Sequence, residues 1–130
     1  MAKNFVLSDS AELIFSLYEK FEGKKLTDVF DKTVNLDIYL NCCEDTTVFS
    51  SLLFRYLAGT VPLETLDKIA DRVTLIIIND NPVNSLWDCY HYSINVPFFV
   101  SMRKNLMSFV KRFTNAKVIT YTEYLKGDFA

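Results

Sequence analysis

Cysteine, histidine, glycine and proline are all scarce in this chain of 130 residues, and each scarcity removes a class of function. The three cysteines, Cys42, Cys43 and Cys89, are odd in number and lack framework spacing, which excludes a disulfide scaffold and suits reduced thiols in the cytoplasm. Three glycines leave no glycine-rich phosphate loop, so a standard mononucleotide or dinucleotide loop is excluded. A net charge of −2 lacks the basic excess of a nucleic-acid binder, and Arg103, Lys104, Lys111 and Arg112 read as a solvated face. Long apolar runs are missing too. The longest, Leu75 to Ile78 with Val73 just before it, is far too short to span a bilayer, and the apolar stretch near Met1 is too short for a signal peptide. The expectation is a cytoplasmic protein with neither a membrane nor a nucleic-acid partner.

What is present is enough for a core. Half of the residues are hydrophobic, 23% are charged, and aromatics include eleven Phe and seven Tyr. Length and composition suit one domain over residues 1–130. Asn4 to Leu7 reads as a first strand, and Asp9 with Glu12 as a capping box opening a helix. Leu13, Ile14, Leu17, Tyr18 and Phe21 repeat at helical spacing up to Gly23, which is placed to stop the helix, and Leu26, Val29 and Phe30 suit a further turn. The alternation in Val34 to Asn41 predicts a half-buried strand. A second helix capped by Asp45 or Thr46 follows, with Val48, Phe49, Leu52, Leu53, Tyr56 and Leu57 on its face and Gly59 at its end. Pro62 suits the first turn of a short third helix through Leu66 and Ile69.

Val73 to Ile78 is continuous and β-branched, as a strand covered on both faces requires. Asn79 to Pro82 is a turn, and Asn84 or Ser85 can cap a helix through Tyr92. Residues 97–113 fit either one helix face or two short strands, and Lys117 to Tyr121 reads as a last strand before a short tail. The sum is an α/β domain with a mainly parallel sheet flanked by helices.

Chemistry has few candidates. His91 is the sole histidine, so any Ser-His or Cys-His machinery must use it, yet Cys89 and His91 turn to different faces of a helix. Adjacent Cys42-Cys43 is not a chelating pair, and no zinc site is expected. Glu44, Asp45 and Asp80 follow two expected strand ends, where paired carboxylates can hold Mg²⁺ and do phosphate chemistry.

Four stretches resemble the proteolytic subunit of Clp protease, with its ClpP/crotonase-like fold. They are Asn4 to Leu7 with its following helix, Leu36 to Asn41, Val73 to Ile78 leading into Asn81-Pro82-Val83-Asn84-Ser85, and Phe99 to Phe109. The resemblance implies that Ser85 stands at the nucleophile position and Phe109 at that of the general base. Without a base nothing takes the proton from Ser85, and Cys43-Glu44 in place of an oxyanion-binding glycine pair opposes the developing charge. The resemblance therefore implies a catalytically inactive pseudoenzyme without cofactor, which self-associates or binds a protein partner. Trp87, Tyr90, Tyr92, Phe98 and Phe99 are the candidate contact anchors, because aromatics are enriched in interface hot spots. The alternative function is the Mg²⁺-dependent enzyme.

Overall fold

Apolar side chains follow one another without a break in the central strands because helices cover both faces of the sheet. The computed structural model describes residues 1–8, 10–25, 36–51, 64–78 and 97–127. Strand β1 (Asn4–Leu7) pairs in parallel with β3 (Thr47–Ser50) on one side and β4 (Thr74–Ile78) on the other. A two-residue strand β2 (Lys24–Lys25) extends β3, and β5 (Ala116–Ile119) extends β4, so the order is β2-β3-β1-β4-β5 with every pair parallel. The α/β class and mainly parallel sheet expected from the sequence are what the chain forms.

Helix α1 (Ala11–Lys20) and helix α4 (Tyr121–Lys126) pack on one face, where Ile14, Leu17 and Tyr124 meet Val6, Phe49, Ile76 and Ile78. The other face receives α2 (Leu36–Cys42), a 3-10 helix (Glu64–Lys68) and α3 (Pro97–Lys111), whose Leu36, Leu40, Leu66, Leu106 and Phe109 lie against Phe5, Leu7, Leu75 and Ile77. The crossover from β1 out to β2 uses the first face, and the crossovers running the other way use the second. One hand of crossover therefore serves throughout, as the right-handed rule requires. Strand β4 shows the cost of any polar insertion: Leu75 to Ile78 are all buried, alternately in the two clusters.

Several expectations need correction. Residues 36–42 are a helix, not a strand. Leu36, Leu40 and Cys43 are buried at helical spacing, while Ile38, which alternation would bury, is 59% exposed. The short segment satisfies both periods, and packing against the sheet selects the helical one. Thr47–Ser50, expected within a helix, is instead a central strand; Val48 and Phe49 turn to opposite faces and each finds a core.

Ser10, not Asp9, caps α1: its Oγ accepts the Leu13 N–H at 3.2 Å, and Asp9 lies outside the described residues. Gly23 does not end α1 either, since Phe21 is the C-cap. A side chain at Gly23 would strike the Thr47 carbonyl oxygen and come within 2.7 Å of the Phe49 ring, so glycine is required by close approach to β3.

Residues 97–111 take the helical option, with Leu106, Phe109 and Phe113 buried. Residues Thr120 and Tyr121, expected to continue β5, begin α4 instead. Thr120 and Glu123 form a capping box, and Gly127 ends the helix at φ 75°. Of the four stretches that carried the resemblance, 36–41 is thus helical where a strand was expected, and 99–109 takes the helical one of its two open alternatives. The expected features at 26–30, 52–63 and 79–96 lie outside the described residues.

Candidate functional site

The expected contact anchors Trp87, Tyr90 and Tyr92, together with Ser85, Asp80, Cys89 and His91, lie outside the described residues. Phe98 and Phe99 fall in the first turn of α3, and their side chains are also outside the described part. Phe109, given the general-base position by resemblance, is a core residue, 1% exposed with its ring 5.5 Å from that of Phe113. Its burial is structural.

Glu44 and Asp45 do not follow a strand. They form the turn before β3, with Asp45 in the left-handed region at φ 49° and its N–H donating to the Met1 carbonyl at 2.7 Å. Aspartate tolerates that conformation, and the turn sits at the amino edge of the sheet, away from the carboxyl edge where a metal-binding pair was expected. Among the described residues no group of three or more His, Cys, Asp or Glu gathers as a metal site, and no helix is long and apolar enough to cross a membrane. Cys42 is exposed and Cys43 buried. Burial first, and then the neighbouring Cys43, raise the Tyr39 hydroxyl above its ordinary pKa.

At the carboxyl edge the structure gathers serines that sequence reasoning passed over. The Ser8 N–H donates to the Ser50 carbonyl at 3.2 Å, and the Ser8 Oγ accepts the Ser10 N–H at 3.1 Å. This holds the end of β1 to β3 and leads the chain into α1. Ser50 is fully buried, and its Oγ has no hydrogen-bond partner. The signal was available: two strands pass from apolar residues to serine at their carboxyl ends, Leu7-Ser8 and Phe49-Ser50-Ser51.

The other feature is the outer edge of β5. The Leu75 N–H donates to the Asn115 carbonyl at 2.9 Å, and Leu75 stands opposite Ala116. In a parallel ladder this turns the backbone groups of Lys117 and Ile119 toward β4 and those of Ala116 and Val118 outward. Among the described residues no further strand lies beyond β5, and the outward groups of Ala116 and Val118 have no hydrogen bond. Val118 is 38% exposed, a large apolar side chain beside the open backbone. Two donors, two acceptors and an apolar contact are thus presented in one extended row. No family model, curated protein or solved structure matches the chain.

Proposed function

We propose that this chain is a non-enzymatic protein-interaction module that accepts an extended segment of another protein along the β5 edge. The observation that carries this reading is the outward backbone of Ala116 and Val118 beside an exposed apolar side chain. Strand addition draws affinity from main-chain hydrogen bonds and specificity from alternate side chains, and both elements are present here. A second copy is a poorer occupant than another chain. Two-fold pairing that matches Ala116 with Val118 of the copy sets Lys117 directly opposite itself, and like charges across a sheet oppose pairing. The interaction role now rests on this edge and no longer needs the inactive-protease resemblance.

Selection of extended peptides from a displayed library, followed by amide hydrogen exchange, tests the reading. Bound peptides are expected to protect the Ala116 and Val118 amides. Val118→Pro, which removes an outward N–H while sparing the ladder to β4, should abolish binding with little change in melting temperature. Protection confined to other segments, or equal binding by a folded Val118→Pro protein, would sink the proposal.

A further inference from the structure

A groove of roughly 340 Å³ opens at the amino edge of the sheet, at the end opposite the serine cluster. Its walls are Met1, Ile38, Asn41, Lys68, Ile69 and Arg72. Lys68 closes the 3-10 helix, and the turn continues as the Arg72 and Val73 N–H groups donate to the Ile69 carbonyl at 2.9 and 3.1 Å. Both cations therefore flank Ile69, which is 2% exposed and forms an apolar floor.

Neither cation has an ion-pair partner among the described residues. Two acids neighbour these cations in sequence: Asp67 is taken by Arg112, whose guanidinium nitrogen lies 2.8 and 2.7 Å from its two carboxylate oxygens, and Asp71, beside Arg72, forms no ion pair with either cation. Among the described residues, no ion pair or hydrogen bond engages the side chain of Lys68 or Arg72, and no acid lines the groove. On the facing wall, α2 contributes the Asn41 amide and the side chain of Ile38, which is 59% exposed. A large aliphatic side chain left in water beside two unpaired cations is matched by a ligand having both an anion and an apolar body.

We infer that this groove binds a small organic phosphate monoester, its phosphate held between Lys68 and Arg72 and its apolar part against Ile38 and Ile69. Near neutral pH such a phosphate carries up to two negative charges, balancing the two cations, and a guanidinium fork suits its oxygens. The volume lies at the small end of ligand pockets, roughly 300–1,000 Å³, so a compact monoester fits and a dinucleotide does not. This site is independent of the β5 edge.

Calorimetric titration with phenyl phosphate, inorganic phosphate and benzyl alcohol at low ionic strength tests the assignment. Phenyl phosphate should bind most tightly, inorganic phosphate more weakly and the neutral alcohol not measurably. Lys68→Gln/Arg72→Gln, both at exposed positions, should keep the wild-type melting temperature and weaken phenyl phosphate by about tenfold or more. Ile38→Ser should weaken phenyl phosphate while leaving inorganic phosphate unchanged. The inference is overturned by no binding of phenyl phosphate to the wild type at millimolar concentration, or by a smaller loss in the double variant. An Ile38→Ser protein that binds phenyl phosphate like the wild type also overturns it.

Discussion

The two edges of the sheet are built to opposite ends. β2 has only two residues, both lysine, and is seated by Gly23 against the Thr47 carbonyl and the Phe49 ring. A short, charged edge discourages a further strand. β5 has four residues, of which Ala116 and Val118 are exposed and turn unpaired backbone outward. The contrast shows that a strand with two neighbours is specified by burial on both faces, whereas an outer strand is specified by what it refuses or admits.

The largest expected effect falls on the β2 edge. Gly23→Ala places a Cβ against a backbone oxygen, which cannot swing aside as a side-chain tip can. Overpacking of this kind costs about 1–3 kcal/mol. Urea denaturation should show this loss, and an unchanged midpoint would break the claim that Gly23 seats β2.

A second effect joins the two edges through α4. Tyr124 follows β5 in the chain, yet its ring meets Phe21 at 5.1 Å and Phe49 of β3 at 6.3 Å, edge to face in both cases. Burial pushes the pKa of its hydroxyl above the ordinary tyrosine value, up to about 12. The folded state thus holds the proton more tightly than the unfolded chain. Its contribution is intact below pH 10 and is lost as the pH rises toward 12, by on the order of 2 kcal/mol. Chemical denaturation across that range should show a falling stability that Tyr124→Phe reduces; an identical slope in the variant would remove Tyr124 as the cause.

The smallest expected effect on stability is at β5. Val118→Lys puts a charge on an already exposed position, so the melting curve should shift by no more than about 0.5 kcal/mol in equivalent stability. The same change adds a second lysine next to Lys117, matching the two of β2, and binding of selected peptides should fall sharply. A large loss of stability would mean that Val118 belongs to the core, and the contrast between the edges would fail.

Legibility in the sequence followed the number of constraints on each segment. β1 and β4 could be read because strands buried on both faces admit few polar residues, and Leu75 to Ile78 has none. Residues 36–42 were misread because Leu36, Ile38 and Leu40 alternate as in a strand, while Leu36, Leu40 and Cys43 also share one helical stripe. Nothing within seven residues decides between those periods. The α4 capping box was visible as Thr120-x-x-Glu123 but sat in what read as the end of a strand and a tail. Of the candidate sites, the β5 edge had no local signature, since Ala116 to Ile119 reads like any short strand. The groove joins residues from α2 and the segment before β4, which the sequence holds far apart.

By itself the sequence determined that the run 75–78 must be buried on every side, because exposing any face of it to water is costly, and its β-branched residues favoured a strand. Only the tertiary structure decided which short segment became helix α2 and which became strand β3. It also decided that β5 would stand at the border of the described strands with its outward backbone open. Those choices depend on which distant surfaces each segment can bury, and that information is not carried by neighbouring residues.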